Sequence, residues 1–424
     1  MYYVIYIFVL IYSLSVSYAQ NISIETVLQS TENDDRVVAN RQKAIFGSGL
    51  DYRLPFLKKI DLRLGFNGNG SRDTLDGFFR NEDYYAISFT PNIPRERKLQ
   101  TQIQTAQNLL YNTEYQLLIQ QSLSDRYMCL VSLFYGKKIL DERLKLRGLY
   151  EKKNNLLRLM IENSLDIKIK DITDVEIDKG TLNNVIVEVE NTLATQTIRL
   201  KQLLKQETDL NIDFQNFISP TKVASFVENI NKNTIPQLPQ TNYRAAQIGV
   251  SEAEFALENI QNRQIFSFFQ VGYNRSVVTE AALKRFNPSN NLAFRVGLTA
   301  PLSANNNLKR SEAALQLKSD ELNAQLTAQL LSKSIDIQRV RLENILKSYN
   351  ITTQNMNESL IPKLLGNATI TAQIQPMELI ELQIAQQKLN IRNTEISNEL
   401  TLEYIRFLDI SGALYQFRGN NFLK

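Results

Sequence analysis

The residue types that most often perform chemistry in proteins are almost absent from this sequence. Its 424 residues include no histidine and a single cysteine, Cys129, which excludes histidine-ligated metal sites, Ser-His-Asp hydrolysis and Cys-His catalysis. Cys129 lies in the apolar run Met128–Val131, a setting that predicts a small buried side chain. No carboxylate pair or nucleophile–base pair stands out from ordinary helical spacing. We therefore expect a protein that is not an enzyme, binds no metal and needs no cofactor.

The charge of the chain is nearly balanced. The formal net charge is +4, and no basic cluster is interleaved with aromatic residues as a nucleic-acid-binding surface requires. Nucleic acid is therefore not expected as a partner. Only 15 glycines and 10 prolines interrupt the chain, so few turns are available and long uninterrupted elements are expected.

The first 19 residues have the pattern of an export signal. Val4–Val16 is an apolar run of about 13 residues, too short to span a bilayer, and Ser17 and Ala19 supply the small residues that a signal peptidase needs. We expect cleavage after Ala19. The alternative is an uncleaved anchor, because no lysine or arginine precedes the run. Beyond this segment no stretch of about 18 consecutive apolar residues occurs.

Two long helical runs are the main elements that could position functional residues. The run from Arg95 to about Met160 contains no proline and only two glycines. As one helix it would measure roughly 98 Å, too long for the core of an ordinary domain. A second run, from Asn305 to about Leu360, carries leucines seven residues apart, namely Leu308, Leu315 and Leu322. Each run has the apolar stripe that one long helix presents to another.

In four segments the apolar residues recur every second residue instead of about every 3.6 residues, a spacing that is typical of strands. We predict strands over about 58–67, 84–91, 265–274 and 292–300. In the first, apolar residues alternate with polar or small ones, and the others follow the same pattern. The apolar residues of the first strand are Ile60, Leu62, Leu64 and Phe66, and aromatic residues lie at strand ends, namely Phe66, Tyr84, Tyr85 and Tyr273.

The length and alternation of these strands are those of outer-membrane barrel strands, whose ends carry an aromatic girdle. Four strands cannot close on themselves, and hydrocarbon tolerates no open sheet edge. The pattern therefore predicts a barrel that is shared between chains. The alternative is a soluble sheet on a helical domain.

The chain contains the same order of elements twice. Pro91 and Pro301 each end a strand and precede a long helix, and the helical hairpins turn near 163–174 and 366–376. Prolines between Asp209 and Gln240 mark the joint between the halves. The expected organisation is a signal peptide (1–19), a first repeat (20–210, with long helices at about 95–162 and 174–208), a linker (211–240), a second repeat (241–412, with long helices at about 305–365 and 376–410) and a tail (413–424).

Short segments at equivalent places carry a family resemblance. They are Phe89–Pro91 and Leu298–Leu302 at the strand-to-helix junctions, Ala245–Ala253 before the third strand, Met377–Gln383 after the second turn and Arg406–Gly412 near the end. In their order and spacing, over essentially the whole mature chain, the sequence resembles the outer membrane efflux protein (TolC) family. The resemblance implies a mainly α fold with a small membrane β-barrel portion, in which three chains share a twelve-stranded barrel and twelve helices form a periplasmic tunnel.

The resemblance also implies partners and site residues. The expected partners are two further copies in a homotrimer, outer membrane lipid, a periplasmic adaptor (membrane fusion) protein and an inner-membrane pump of the RND or ABC type. The adaptor is expected at the hairpin tips, which comprise Ser164, Leu165, Asp166 and Ile167 in the first hairpin and Asn367, Ala368, Thr369 and Ile370 in the second. The barrel lining is expected to include Asp61, Arg63, Arg295 and Thr299, which would be outer surface residues if the register were shifted by one.

The expected gate departs from the family pattern. Relatives often constrict the entrance with rings of aspartates near the second tip, whereas this chain has Gln373 and Gln375 there, followed by Glu378. We expect these residues to form a periplasmic gate that depends on uncharged hydrogen bonds and packing. The implied function is a passive exit duct for small molecules or drugs, in the outer membrane of a Gram-negative bacterium, with helices extending into the periplasm. The alternatives are the outer membrane component of a type I protein secretion system and a non-transporting long-helix scaffold or adhesin.

Overall fold

The computed structural model describes residues 20–49, 57–70, 78–91, 94–163, 168–207, 210–229, 238–261, 266–280, 285–298, 304–416 and 418–424. The expected signal peptide, 1–19, lies outside the described residues. The chain divides into two units. The first, here called the hairpin unit, comprises Met1–Asn40, Glu114–Pro239 and Ala328–Lys424, and the second, here called the sheet unit, comprises Arg41–Thr113 and Gln240–Thr327.

The described elements confirm a mainly helical fold with two strand pairs and two pairs of long helices. In the first half they are β1 (Gln20–Ser23), α1 (Ile24–Gln29), α2 (Asp35–Gly49), β2 (Leu57–Gly70), β3 (Phe78–Pro91), α3 (Pro94–Glu162) and α4 (Ile169–Leu204). The remaining elements are β4 (Leu210–Asp213), α5 (Pro220–Glu228), α6 (Pro239–Gln261), β5 (Phe266–Glu280), β6 (Arg285–Leu298), α7 (Ala304–Glu358), α8 (Ile361–Gly366), α9 (Ala368–Thr371), α10 (Pro376–Ile410) and α11 (Ala413–Gln416).

The sheet unit contains one antiparallel sheet with the spatial order β2-β3-β5-β6. Its strands have 14 or 15 residues and extend well beyond the strand ends that the alternation predicts. Backbone hydrogen bonds form whatever the side chain, so polar stretches such as Asn67–Gly70 continue the ladder beyond the apolar alternation. The sequence pattern therefore underestimates the strand length.

Helix α6 is hydrogen-bonded to two neighbouring helices of the sheet unit. Gln261 Nε2 donates to Glu96 Oε1 of α3 at 2.8 Å. Ten residues earlier on α6, the Ser251 hydroxyl donates to Asp320 of α7. These contacts hold together the helices that lead into and out of the strands.

The long helices differ from the prediction mainly at their ends. Helix α3 has 69 residues, about 104 Å if straight. Helix α7 ends at Glu358 instead of continuing to 365, because Pro362 offers no N–H to the Glu358 carbonyl and its ring clashes with it. Helix α4 ends where Lys205 adopts a left-handed conformation with φ +54°. None of the described helices combines the length and the apolar character needed to cross a membrane.

Short elements complete the core of the hairpin unit. Strand β1 pairs in parallel with β4, and Ser23 caps α1 by accepting a hydrogen bond from the Thr26 N–H at 3.2 Å. The C-terminal tail joins this core through the Ile218 N–H, which donates to the Leu423 carbonyl at 2.7 Å. The Leu423 side chain is fully buried. The two ends of the described chain are thus parts of one packed core.

A fully buried arginine lies in the same core. The nitrogen atoms of Arg126 donate to Ser30 Oγ at 2.9 Å, to the Leu203 carbonyl at 3.0 Å and to the Ser122 carbonyl at 3.0 Å. Its charge is balanced by Asp34, whose Oδ2 lies 3.6 Å from Arg126 Nη1. A buried cation is tolerated only with such a full set of acceptors and a counter-charge.

Asp34 is held in its charged form. Burial alone would raise its pKa, but hydrogen bonds from Arg36 and Ser122 outweigh burial and bring the pKa to about 2. The Ser122 hydroxyl donates to Asp34 Oδ2 at 2.7 Å. The carboxylate therefore remains ionised beside Arg126 at neutral pH.

Candidate functional site

One face of the sheet consists of exposed apolar side chains. The register aligns Leu64, Tyr85, Tyr273 and Leu292 across the four strands, and the alternate residues of each strand share their side of the sheet. The exposed fraction reaches 74% at Leu62. A contiguous apolar surface of this extent indicates a binding surface for another molecule. Its exposed members are Ile60, Leu62, Leu64, Phe66, Tyr85, Ile87, Phe269, Tyr273, Leu292, Phe294, Val296 and Leu298.

Tyr84 does not belong to this apolar face, contrary to its expected place in an aromatic girdle. The register aligns Tyr84 with Gly65 and Asn274, and these residues lie on the opposite side from Tyr85. Successive side chains of a strand point to opposite faces, so Tyr84 and Tyr85 cannot share one. Phe66, Tyr85 and Tyr273 do share the apolar face.

The opposite face gathers polar and small residues. Here called the polar face, it includes the cross-strand row Asp61, Ser88, Gln270 and Arg295 and the next row Arg63, Ala86, Gly272 and Ala293. The sheet therefore brings Asp61, Arg63 and Arg295, three of the expected lining residues, to one side. The fourth, Thr299, lies outside the described residues.

A compact cluster at the middle of the polar face surrounds Tyr84. Gln270 Nε2 donates to the Tyr84 hydroxyl, and the guanidinium carbon of Arg295 lies 5.6 Å from the centre of the Tyr84 ring. A Cβ at Gly272 would lie only 3.2 Å from that ring, so glycine leaves the ring its space. The sequence analysis did not identify Tyr84 and Gln270 as site residues. The one sequence signal for their role was the alternation along each strand, which places Tyr84 and Gln270 on the face opposite to the apolar residues.

The outer strands of the sheet have one paired side each in the described part of the chain. β2 pairs with β3 and β6 pairs with β5, so β2 and β6 form the sheet edges. On its second side, each edge strand has backbone N–H and C=O groups with which a further strand could pair.

Of the two sets of expected tip residues, only the second lies in the described structure. The four expected residues of the first tip, Ser164, Leu165, Asp166 and Ile167, lie outside the described residues. At the second tip, Asn367 Oδ1 accepts hydrogen bonds from the Thr369 and Ile370 N–H groups at 3.1 and 3.4 Å. These bonds start α9, the short helix that begins at Ala368. The side chains of Asn367, Thr369 and Ile370 are exposed and available to a partner.

The expected gate residues are also exposed. Gln373 lies in the turn after α9, Gln375 is the N-cap of α10, and Glu378 lies in the first turn of α10. The Gln375 side chain makes no capping hydrogen bond. Within the described part of one chain, no hydrogen bond or ion pair joins the three side chains to one another.

Ion pairs attach α10 to the first helical hairpin, and the sequence analysis missed them. Lys153 Nζ lies 2.8 Å from Glu381 Oε1, and Arg143 Nη2 lies 2.7 Å from Glu395 Oε1. The partners are 228 and 252 residues apart in sequence, so no local spacing indicates them.

Helices α3, α4 and α10 meet at the Asp178 carboxylate. The Tyr150 hydroxyl donates to Asp178 Oδ2 at 2.6 Å, and Lys388 Nζ lies 3.4 Å from the same oxygen. The hydrogen bond from Tyr150 and the charge of Lys388 lower the pKa of Asp178, whereas burial raises the pKa of Tyr150. The carboxylate therefore stays charged at neutral pH and joins the three helices.

Comparison with known proteins identifies the fold. No protein-family model and no curated protein sequence matches the chain. Several solved structures are similar over most of its length, among them the three that follow. CusC has a TM-score of 0.63 at 10% identity and covers 93% of this chain and 95% of its own. The CmeC outer membrane channel of Campylobacter jejuni has a TM-score of 0.63 at 10% identity, with coverages of 92% and 85%. The open state of the MtrE outer membrane channel of Neisseria gonorrhoeae has a TM-score of 0.62 at 8% identity, with coverages of 92% and 88%. The fold expected from the TolC-family resemblance is confirmed.

Proposed function

We propose that this chain is one subunit of a trimeric outer membrane channel, the passive exit duct of a tripartite efflux system. The observation that carries the proposal is the exposed apolar face of the sheet. The hydrocarbon of a lipid bilayer can contact the whole of a continuous apolar sheet face, because lipid chains adapt to the shape of the surface. The polar face would then face a water-filled interior. Both faces of the sheet have a place in a membrane barrel, whereas a soluble sheet would leave its apolar face in water.

The edge strands support an assembly of several copies. In hydrocarbon every backbone group must be paired within the protein, and one chain leaves one side of β2 and of β6 open in the described sheet. Pairing β6 of one copy with β2 of the next satisfies both edges. Three copies supply the twelve strands that the family resemblance implies.

The long helices support association of the same copies. Leu308, Leu315 and Leu322 lie seven residues apart on α7 and remain 56%, 70% and 48% exposed. A heptad stripe that is exposed in one chain favours packing against a helix of another. We assign this stripe to the helical wall of the tunnel.

The second hairpin tip supplies the proposed docking and gating residues. Exposed Asn367, Thr369 and Ile370 would contact the periplasmic adaptor, together with Ser164–Ile167 of the first tip. Gln373, Gln375 and Glu378 would meet their counterparts from the other two copies and close the entrance. The inner-membrane pump, of the RND or ABC type, would supply the energy through the adaptor, because the duct itself is passive.

The experiment that tests this proposal is planar-bilayer recording of the detergent-purified mature protein, together with its mass in solution. We expect a trimer, purified from the outer membrane fraction, that gives discrete channel openings. A monomer without conductance would overturn the shared barrel and favour a scaffold or adhesin.

The cargo can be tested in cells that lack the chain. For an efflux duct we expect greater susceptibility to toxic small molecules and their faster accumulation. Unchanged susceptibility, with a polypeptide missing from the medium, would instead favour type I protein secretion.

A further inference from the structure

We propose, on the basis of the channel proposed above, that the barrel interior prefers anions and that the exported solutes carry negative charge. Over the part of the polar face whose side chains the structure describes, three basic residues, Lys59, Arg63 and Arg295, accompany one acidic residue, Asp61. This is an excess of two positive charges per chain. Three copies would place about six around the interior.

The acidic residue is already neutralised within its own strand. Lys59 Nζ lies 2.9 Å from Asp61 Oδ1. Asp61 and Arg295 stand at opposite ends of one cross-strand row, three strand spacings or roughly 14 Å apart, so they do not pair within one chain. If Arg295 of a neighbouring copy approached Asp61 in a closed barrel, Lys59 would be released, and the excess of positive charge would be the same.

The two arginines keep their charge available. Neither Arg63 nor Arg295 forms an ion pair with any residue that the structure describes, and both side chains are exposed. The other described residues in the row of Arg63 are Ala86, Gly272 and Ala293, which are too small to cover its guanidinium. Arg295 instead lies over the Tyr84 ring, a contact that orients a cation without cancelling its charge.

The consequence for permeation follows from electrostatics. Low-dielectric walls around an aqueous channel concentrate the field of fixed charges and raise the local concentration of counter-ions. Guanidinium groups also form paired hydrogen bonds with carboxylate and phosphate oxygens. The class of solute that this interior fits is therefore organic anions that bear carboxylate or phosphate groups.

The decisive experiment measures the reversal potential of the purified full-length protein in bilayers with a tenfold KCl gradient. We expect a chloride-to-potassium permeability ratio above one, which falls about threefold in the R63Q/R295Q variant and falls below one in R63E/R295E. The preference should weaken at higher salt, because screening shortens the reach of the charges.

The matched control is R275Q, which removes an arginine from the opposite face of the same sheet. Arg275 is aligned with Asp83 on the side of Phe66, so its loss should leave the permeability ratio unchanged. Channels that prefer potassium, or a ratio that R63Q/R295Q and R275Q shift equally, would overturn the anion preference and leave the channel proposal intact. Absence of any channel in the wild type would overturn both.

Discussion

The core around Arg126 and the four-stranded sheet differ in whether one chain satisfies their energetically unfavourable groups. In the core, a fully buried cation finds its acceptors and its counter-charge within one chain, at Ser30, Leu203 and Asp34. In the sheet, large apolar side chains such as Leu62 stay mostly exposed, and two strand edges have one open side. The core is complete in a single chain, whereas in the proposed channel the sheet would be completed by lipid and by further copies.

Because of this difference, substitutions in the core should affect folding, whereas substitutions on the apolar face should affect membrane insertion and assembly. Substitutions in the core should reduce the free energy of unfolding wherever the protein is studied. Substitutions on the apolar face should have little effect in water, because the altered side chain is exposed there, and a large effect in the membrane. The two regions therefore call for different measurements.

The largest effect is expected from R126M. Removing the cation leaves the Ser30 and Leu203 carbonyls buried without this donor and deprives Asp34 of one of its two arginine partners, which should lower the free energy of unfolding by about 3–5 kcal/mol. Urea unfolding of the purified protein, followed by circular dichroism, measures this loss. The matched control is R199M, because Arg199 pairs with Asp125 at 2.6 Å while its side chain is 49% exposed. That exposed pair should contribute less than about 1 kcal/mol, and equal losses in the two variants would contradict the assigned role of Arg126.

The next effect concerns the apolar face, through F294K. A lysine in contact with hydrocarbon should cost about 2–4 kcal/mol per chain near the middle of the bilayer, so the amount of protein recovered from the outer membrane fraction should fall sharply. The control is N291K, a substitution on the polar face of the same strand, which should insert normally. Equal recovery of both variants would indicate that the two faces of β6 do not differ in their surroundings.

The parts of the fold that the sequence could predict are those with local signals. The alternation around Leu62 and Leu64 identifies a strand, and a proline-free run after Arg95 identifies a long helix. The end of α7 could also have been predicted, because Pro362 is a helix stop signal. The apolar pattern continues past it, and the helix was therefore predicted to reach 365.

The parts that could not be predicted depend on residues that are distant in sequence. Gln270 meets Tyr84 across 186 residues, and Lys153 meets Glu381 across 228. Neither contact has a spacing that distinguishes it from chance. The polar cluster of the candidate site becomes visible only when the strand register is known, because a shift by one residue would send every side chain to the other face.

A third effect follows from the depressed pKa of Asp34, which is about 2 instead of the ordinary 3.8. A carboxylate whose pKa is lowered by folding stabilises the folded state above the ordinary pKa, and this stabilisation is lost as the pH falls towards the folded-state pKa. Between roughly pH 4 and pH 2, we expect the free energy of unfolding of the wild type to fall by about 1–2 kcal/mol more than that of D34N. Acid titration of the urea midpoint measures the difference. The control D35N alters a neighbouring carboxylate that is 85% exposed and should retain the acid sensitivity of the wild type.

The smallest effect should appear in channel gating, through K153M and E381Q. The Lys153–Glu381 pair attaches α10, the helix whose first turn carries Glu378 of the proposed gate, to α3, and Glu381 is 53% exposed. A partly exposed pair contributes at most about 1 kcal/mol, so its loss should raise the open probability of single channels by no more than about fivefold.

The control for this gating effect is K145M. Lys145 forms its ion pairs with Asp141 and Glu142, both within α3, so the substitution removes the same charge and leaves the described ion pairs between helices in place. If the ion pair holds α10, the double variant K153M/E381Q should open no more often than either single variant, because each one already removes the whole interaction. Additive effects, or an equal effect of K145M, would show that these charges act on permeation through their field instead of by restraining the helix.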